Sequence, residues 1–383
     1  MKQGWKTCKF ADVFDLQMGK TPSRENPTYW GDDNMWVSIA DMNEQKYMSA
    51  TKEGITDIAV RESGIKPIPQ GTVIMSFKLS IGKVSIATSK LYTNEAIMGF
   101  IEKEKGTLVP EYLYYYLKGY KWEGANKAAM GMTLNKKTIA ENAISYPPIA
   151  EQEKIVAELD CLSEIIEKKK QQLKELDNLA QSIFYEMFVR ESKNWEKKKL
   201  IDIYKFIDYR GKTPTKISEG IPLITARNIR RGYIDYSVKE YISEEEFAGR
   251  QSRGIAQKGD LLFTTEAPMG YVAIADLEVF STGQRLITFQ KKHTIDVNNT
   301  YVLHYLLSDE FQMELNNQAT GATVKGIKGS KLEQMLIDCP PMQLQKDFAS
   351  KIEAIEKQKE LIAQSIKETE TLFNSRMDYY FNR

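Results

Sequence analysis

The chain has 383 residues, of which 42% are hydrophobic and 27% are charged, and its 53 lysines and arginines nearly balance 52 aspartates and glutamates. This length suits two or three domains, and this composition excludes a disordered chain and a protein that binds nucleic acid through overall charge alone. No apolar run has the length of a membrane span, and the first residues lack a signal-peptide core. Three widely spaced cysteines favour a reducing cytoplasm over a disulfide framework.

The sequence contains an internal repeat. Residues 71–87 align without a gap on residues 259–275, and both segments run through a short apolar strand, turn at a glycine and resume with Val-x-Ile-Ala. Five further segments recur in the same order at offsets between 189 and 193: Trp5 as Trp195, 19–22 as 211–214, 112–117 as 301–306, 131–133 as 321–323, and 146–152 as 339–345. This order indicates that the chain is two copies of one half.

Each half begins with a region that we name a head: the first head is residues 1–147, and the second head is residues 191–340. Short β-branched runs such as 72–75 and 84–87, separated by glycine and proline, predict strands in the heads. One helix is predicted around residues 112–117. The heads are therefore expected to be rich in β-structure.

A long helix is predicted after each Pro-Pro pair, at residues 148–190 and 341–383. Pro148 and Pro341 suit the first turn of a helix, where a missing N–H costs nothing. Beyond them, apolar residues recur at alternating spacings of four and three, which is the pattern of a coiled-coil seam. The predicted seam residues are Ile155, Leu159, Leu162, Ile166, Leu173, Leu176, Ala180, Ile183 and Met187 in the first helix, and Phe348, Ile352, Ile355, Ile362, Ile366 and Phe373 in the second.

Because the two seams share a register, we predict that these helices pair with each other and are not two unrelated surface helices. The predicted fold class is α+β, with two β-rich heads related by a pseudo-two-fold axis and separated by two long antiparallel coiled-coil helices. Lys169, Lys359 and Thr369 interrupt the seams. The lysine stems are expected to pack while their ammonium groups reach solvent, an arrangement that can fix the register.

The distribution of charge separates the long helices from the heads. Residues 151–190 carry 6 basic against 9 acidic side chains, whereas residues 1–150 carry 19 against 16. A surface for phosphates is therefore expected on the heads, where basic residues cluster at 227–231 and around Lys78 and Lys136. A charge cluster by itself also fits an ordinary solvated face.

The sequence lacks the motifs of an enzyme. Residues 19–21 and 211–213 look like the end of a phosphate-binding loop, but both copies have phenylalanine where that loop needs its first glycine. His293 and His304 both lie in the second half, and Tyr115 matches His304 in the first, which argues against a repeated catalytic histidine. We therefore predict no catalytic residue and no metal site in this chain.

The ordered set of Trp5, 19–22, 36–41, 71–87 and 146–155, followed by a long helix, resembles one target-recognition half of a type I restriction–modification specificity subunit. The resemblance covers nearly the whole chain, and its most specific element is the Pro-Pro-x-x-x-Gln entry into each long helix. The second half repeats the pattern more loosely. Trp36 has no tryptophan counterpart near residues 222–224, and Cys339 replaces the aromatic Tyr146.

This resemblance implies a subunit without a catalytic centre, in which each head reads one half of a split, asymmetric target in double-stranded DNA. The long helices would space the heads and dock two methyltransferase subunits, which motor-nuclease subunits then join. S-adenosylmethionine, ATP and magnesium are expected on those partners, and no cofactor is expected on this chain. Methyl transfer to a flipped base would belong to the partners.

The candidate DNA-contacting residues lie on the repeated turns and on basic loops of the heads. The Gly-Lys-Thr-Pro turns can reach phosphates or base edges, and residues 227–231 are the expected base or phosphate readers of the second head. The residues around Gly82 differ in chemistry from their counterparts Glu266 and Pro268, as two reading heads require. The loops after Gly-x-Thr are expected to contact phosphates. The full set is Lys20, Thr21, Lys78, Ser80, Lys83, Lys136, Lys137, Lys212, Thr213, Arg227, Arg230, Arg231, Lys325 and Lys328.

Two other functions remain open on the sequence alone. A repeated coiled-coil adaptor that binds only protein would have no salt-dependent affinity for DNA. A self-sufficient DNA enzyme would turn over S-adenosylmethionine without a partner, and the missing motifs argue against it.

Overall fold

The computed structural model describes residues 4–43, 45–78, 80–123, 126–128, 131–190, 195–209, 213–292, 295–321 and 324–381. It consists of two compact units, Met1–Lys170 with Gln364–Arg383, and Gln171–Ala363. Each unit therefore contains one head and part of each long helix.

The elements of the first half follow the predicted order of a β-rich head and a long helix. Its strands are β1 (Lys6–Lys9), β2 (Phe14–Met18), β3 (Trp30–Val37), β4 (Tyr47–Met48), β5 (Glu53–Ile55), β6 (Val73–Ser76), β7 (Val84–Ala87), β8 (Tyr92–Thr93), β9 (Ile97–Glu102), β10 (Asn126–Ala128), β11 (Gly131–Thr133) and β12 (Ala143–Tyr146). Its helices are α1 (Phe10–Val13), α2 (Asp57–Ser63), α3 (Pro110–Lys118), α4 (Lys136–Glu141) and the long α5 (Ile149–Phe184), with a 3₁₀ turn at Pro27–Tyr29 and a π-helical turn at Tyr185–Val189.

The second half has the same plan. Its strands are β13 (Glu196–Lys199), β14 (Tyr204–Asp208), β15 (Ile221–Ile224), β16 (Tyr241–Ile242), β17 (Leu261–Thr264), β18 (Val272–Ile274), β19 (Ser281–Thr282), β20 (Leu286–Lys291) and β21 (Leu336–Cys339). Its helices are α6 (Leu200–Ile203), α7 (Glu244–Gly249), α8 (Asn299–Leu307), α9 (Asp309–Gln318), α10 (Gly329–Glu333) and the long α11 (Met342–Phe381), with a 3₁₀ turn at Arg250–Arg253.

The internal repeat of the sequence is a repeat of sheet topology. The main sheet of the first head has the strand order β2-β9-β6-β7-β4, and that of the second head has the order β14-β20-β17-β18. The smaller sheets correspond as well, β5-β3-β8 to β16-β15-β19 and β1-β12 to β13-β21. In the described part of the second head, no strand takes the place of β4.

The main sheets form because their central strands are apolar on both faces. All four residues of β6 and of β17 are buried, and such runs require a covering layer on each side. In the first head one cover is the aromatic helix α3, whose Tyr112 and Tyr116 join the core cluster that contains Phe10 and Phe100.

The seam predicted for the long helices is their buried stripe. Ile155, Leu159 and Ile166 of α5 are buried, as are Phe348 and Ile352 of α11. The other predicted seam positions are buried or half-buried. Apolar residues at heptad spacing fall on one face of a helix, and burying that face stabilises helices of this length.

The two helices run antiparallel in the first unit. Arg376 donates from Nη2 to Oε2 of Glu158 over 2.8 Å, and the Lys169 ammonium group donates to the Ser365 hydroxyl. Lys169 comes after Glu158 on α5, whereas its partner Ser365 comes before Arg376 on α11. The two helices therefore run in opposite directions. The ammonium group of Lys169, which we expected to reach solvent, instead binds the facing helix.

The same direction is seen within the second unit. The rings of Phe184 and Phe348 lie with their centroids 5.7 Å apart, and Lys359 pairs with Asp177 at 2.8 Å between Nζ and Oδ1. Burial lowers the pKa of Lys359, but its hydrogen bonds to Asp177 and Glu356 outweigh that effect and raise it. This second seam lysine also binds across the helix pair.

The α+β class, with two similar β-rich heads and two long antiparallel helices, is confirmed. Among the described residues, no helix combines the length and the apolar character needed to cross a membrane. Cys8, Cys161 and Cys339 are free thiols.

Candidate DNA interface at one end of each main sheet

One end of the main sheet collects the candidate residues of the first head. Strand β2 pairs antiparallel with β9, and β9 pairs antiparallel with β6. The end of β2, the start of β9 and the end of β6 therefore lie at the same end of the sheet. Lys20 and Thr21 follow β2, Glu95 precedes β9, and Lys78 follows β6.

The Gly-Lys-Thr-Pro turn is fixed by close backbone packing. A Cβ atom added to Gly19 would lie 2.0 Å from the carbonyl oxygen of Thr93, so only glycine fits there. The Lys20 N–H donates to the same carbonyl over 2.8 Å, and the indole N–H of Trp36 donates to the Lys20 carbonyl over 3.1 Å. These contacts give the repeated glycine a structural role and carry the next two side chains to the sheet end.

Thr21 donates its hydroxyl hydrogen bond to the carboxylate of Glu95. This bond, opposed by partial burial, lowers the pKa of Glu95, and the nearby Lys78 lowers it further. The Lys20 ammonium group donates to the Ser63 carbonyl over 2.5 Å. The sheet end thus presents the Glu95 carboxylate with the Thr21 hydroxyl bound to it and the Lys78 ammonium group nearby.

The other candidates of the first head surround this group. Ser80 is exposed on the turn after Lys78. Lys83 donates from Nζ to the Ile39 carbonyl over 3.3 Å. Lys136 and Lys137 are exposed in the first turn of α4, which Asn135 caps, and the N–H of Leu134 donates to the Phe77 carbonyl over 2.9 Å. This bond brings the loop before α4 to the end of β6.

The second head has an equivalent group at the equivalent sheet end. Gln284 donates from Nε2 to the hydroxyl oxygen of Thr213. In the repeat Thr213 corresponds to Thr21 and Gln284 to Glu95, so the threonine contact recurs with an amide in place of a carboxylate. Lys212 lies outside the described residues.

A cleft of about 240 Å³ opens beside Thr213. It is lined by the Thr213–Pro214 turn, by Thr225 to Arg227 after β15, and by Gly283 to Arg285 before β20. Strands β15 and β19 are parallel, so the segments that follow them, Thr225 to Arg227 and Gly283 to Arg285, lie next to each other. On the cleft wall, Glu240 pairs with Lys216 at 2.8 Å and with Arg227 at 3.3 Å.

The three arginines predicted to read DNA in the second head have different surroundings. Arg227 lies at the cleft with 71% of its side chain exposed. Arg230 is held by Asp235 at 2.7 Å and by backbone carbonyls of its own loop, and Arg231 donates to the Leu307 carbonyl over 3.0 Å. Of the three, the structure places Arg227 with the sheet-end group.

Lys325 and Lys328 are exposed on the loop that closes the same sheet end. Between them, Gly326 forms a β-bridge with Glu266, and the N–H of Ile327 donates to the Thr265 carbonyl over 3.0 Å. This second bond matches the one that Leu134 makes in the first head. The loop therefore has the same attachment in both heads.

Three polar residues of these sheet ends were missed from the sequence: Glu95, Gln284 and Arg285. Arg285 pairs through Nε with Oε1 of Glu266 at 3.0 Å. The signal that could have found them is their position immediately before a strand that aligns between the halves. Without the strand pairing, nothing connects them to the Gly-Lys-Thr-Pro turn.

These groups are suited to binding and not to bond breaking. Hydroxyl, amide, guanidinium and carboxylate groups at one edge offer donors and acceptors to base edges and phosphates. His304, in contrast, is enclosed by Phe184 and Phe348, and burial lowers its pKa to about 4. His293 lies outside the described residues. Across the described ranges, no cluster of three or more histidine, cysteine or acidic side chains could hold a metal ion.

Comparison with known proteins identifies the family. The sequence model of the type I restriction modification DNA specificity domain matches residues 2–178 and again residues 192–371. The chain is 25% identical to the type I restriction enzyme MjaIX specificity subunit of Methanocaldococcus jannaschii, over 92% of this chain and 86% of that protein. It is 27% identical to the HindI specificity subunit of Haemophilus influenzae over 38% of this chain and 32% of that protein.

Solved structures share the fold. A chain from a structural study of assembly and conformational transition of the type I R-M system superposes with a TM-score of 0.64 at 17% identity, covering 100% of this chain and 98% of that one. The type I restriction–modification S subunit from M. genitalium superposes with a TM-score of 0.56 at 13% identity, covering 98% of this chain and 96% of the other. Because the family model matches both halves, this chain belongs to the type I restriction modification DNA specificity family and is a non-catalytic specificity subunit.

Proposed function

We propose that this specificity subunit recognises a bipartite, asymmetric DNA target, with one half read by each head. The heads are residues 1–147 and 191–340, and the connecting helices are residues 148–190 and 341–383. The helices dock two methyltransferase subunits, which motor-nuclease subunits join. Chemistry that uses S-adenosylmethionine, ATP and magnesium belongs to those partners.

The observation that carries this proposal is the pair of equivalent threonine contacts at the two sheet ends. Thr21 binds a carboxylate, that of Glu95, and Thr213 binds the amide of Gln284. Beside them, Lys78 in the first head corresponds to Glu266 in the second. A shared backbone frame with different donors and acceptors suits the reading of two unlike sequences, since base pairs differ in their major-groove donors and acceptors.

Exposed lysines around each sheet end supply the contacts to the DNA backbone. Lys136 and Lys137 follow the Gly-x-Thr segment of the first head, Lys325 and Lys328 follow that of the second, and all four side chains are exposed. Phosphate contacts of this kind make binding dependent on salt and hold the register of the protein on the duplex. Two linked heads then combine modest affinities through effective concentration.

The long helices support the docking part of the proposal. Away from the seam they expose large apolar side chains, including Leu361 at 65%, Leu372 at 50% and Tyr379 at 61% exposure. Exposed apolar side chains of this size favour contact with another protein. In these helices basic side chains do not outnumber acidic ones, which makes the helices less suited to DNA.

The test is a selection of sites from a randomised duplex library, with the chain assembled with its methyltransferase partner. We expect two conserved blocks of different sequence, separated by a spacer of constant length and random sequence. Replacing Thr21 and Lys78 together by alanine should remove conservation from one block only. Lys9→Ala is the matched control, because Lys9 lies in β1, outside the main sheet, and pairs with Glu141.

One contiguous motif, or loss of both blocks in the double variant, would contradict the proposal. A chain that binds the methyltransferase but has no salt-dependent affinity for DNA would instead be a protein adaptor. Methyl transfer by the isolated chain, measured with radiolabelled S-adenosylmethionine, should stay at background.

A further inference from the structure

We propose that Arg285 reads a guanine in the half-site of the second head, and that Glu266 positions its guanidinium group for this contact. The inference rests on the proposed function and names the residues that determine the specificity of one head. It follows from the backbone, the ion pair and the comparison of the two heads.

Arg285 has an unusual backbone conformation. Its φ is +64°, and Ala267, with φ of +47°, is the other described non-glycine residue in this region of conformational space. Both line the cleft beside Thr213. An L-residue costs about 1 kcal/mol or more in this conformation, and such strain concentrates at functional sites.

The surrounding sheet holds Arg285 in place. The N–H of the buried Thr265 donates to the Arg285 carbonyl over 2.9 Å, and the Thr265 hydroxyl lies 3.3 Å from the same oxygen. The backbone of Arg285, from which the side chain starts, is therefore held at the ends of β17 and β20.

The side chain itself is both held and accessible. Its Nε lies 3.0 Å from Oε1 of Glu266, while 55% of the Arg285 side chain and 43% of the Glu266 side chain remain exposed. Bidentate recognition of guanine O6 and N7 requires an arginine with a defined orientation. The contact with Glu266 is made at Nε, which leaves the two terminal nitrogens available for a base.

The first head lacks this pair at the same position. The N–H of Phe77 donates to the Ala96 carbonyl over 2.9 Å, as Thr265 does to Arg285. Alanine thus stands in place of Arg285, and Lys78 in place of Glu266. A residue required by the shared fold would recur, whereas a residue that reads one half-site would not.

The competing role for Arg285 is a phosphate contact, which would weaken binding to all sequences alike. Arg227 is better placed for that role, since it lines the same cleft with 71% of its side chain exposed and pairs with the wall residue Glu240. Replacing Arg285 should therefore change sequence discrimination at one base, whereas replacing Arg227 should lower the affinity for all sequences alike.

The experiment is site selection with the chain and its methyltransferase partner, using wild type, Arg285→Ala, Glu266→Gln and Arg227→Ala. We expect Arg285→Ala to lose about ten- to hundredfold in discrimination at one guanine of one block. Glu266→Gln should relax the same position, and a double variant that combines it with Arg285→Ala should lose no more discrimination than Arg285→Ala alone. Arg227→Ala should lower affinity evenly across sequences.

Lys258→Ala is the matched control, because Lys258 forms an exposed pair with Glu278, at 2.7 Å, beyond the opposite end of β17. Melting temperatures should be equal for all variants, since exposed ion pairs contribute little to stability. If wild type selects a bipartite site that lacks a guanine affected by Arg285→Ala, or if that variant weakens all sequences alike, this inference is wrong and the proposed function stands. If wild type selects no bipartite site, the proposed function itself fails.

Discussion

The side-chain amide of Gln152 joins the start of α5 to the backbone of Val109, the N-cap residue of α3. Its Oε1 accepts from the Val109 N–H over 2.8 Å, and its Nε2 donates to the Pro147 carbonyl over 2.9 Å. Gln345 does the same in the second half, accepting from the Asn298 N–H over 2.9 Å and donating to the Pro340 carbonyl over 2.8 Å. The Pro-Pro-x-x-x-Gln motif is thus a buried hydrogen-bonded junction between a head and its long helix.

We predict that Gln152→Ala or Gln345→Ala lowers the free energy of unfolding by about 2–3 kcal/mol, because each change leaves buried backbone groups without partners. The measurement is chemical denaturation. The control is Gln343→Ala, since Gln343 is exposed on the same helix as Gln345 and binds Asp347. If Gln345→Ala and Gln343→Ala lower the free energy of unfolding equally, the junction does not stabilise the fold.

The helix seam gives a second prediction. Leu159 is 0% and Ile352 is 4% exposed, so replacing either by aspartate buries an unpaired charge and should cost about 3 kcal/mol or more. Leu361→Asp, at a position 65% exposed on α11, should change stability by less than about 0.5 kcal/mol. A melting temperature that is unchanged by Leu159→Asp or Ile352→Asp would show that the seam is misassigned.

His304 gives a prediction about pH. Burial depresses its pKa from 6.5 to about 4 in the folded protein, and the nearby Lys359 adds to the effect. Between these values the unfolded chain binds a proton that the folded protein does not, so stability is lost as pH falls from about 6.5 towards 4. The full contribution is about 3–4 kcal/mol.

The test compares wild type with His304→Tyr, which introduces the residue found at the equivalent position of the first head. The comparison is needed because burial raises the pKa of Asp260 to about 6, and that group favours the folded state as pH falls. We expect wild type to lose stability relative to the variant between pH 7 and pH 5 in denaturation experiments. If the difference in stability between wild type and His304→Tyr stays constant with pH, the pKa of His304 is not depressed in the folded protein.

The last prediction concerns the spacing of the two half-sites. The division between the compact units falls after Lys170 in α5 and after Ala363 in α11. Inserting four residues at both places adds about 6 Å of helix while nearly keeping the face of the seam. At about 3.4 Å per base pair, the preferred spacer should lengthen by one to two base pairs.

Inserting two residues at both places is the control, because it rotates the seam by about 200° and should impair folding. Site selection with the methyltransferase partner measures the spacer. If the four-residue variant keeps the wild-type spacer, or selects different half-site sequences, the helices do not set the distance.

The sequence by itself determined the repeat, the heads, the helix seams and the absence of enzyme motifs. These features are local or periodic, since heptad spacing and ordered matches can be read along the chain. Tyr112 and Tyr301, matched in the repeat, indeed make the same bond, donating to the carbonyls of Ser145 over 3.1 Å and Asp338 over 3.0 Å.

Only the tertiary structure decided which polar residues meet. Strand β14 pairs antiparallel with β20, and β20 pairs antiparallel with β17, which brings Thr213, Arg285 and Glu266 to one end of the sheet. Residues so far apart in sequence carry no mutual signal, because a contact between strand ends depends on the order and register of the strands. For the same reason the arginines at 227, 230 and 231 look alike in the sequence, whereas packing places Arg227 at the cleft and binds Arg230 to Asp235.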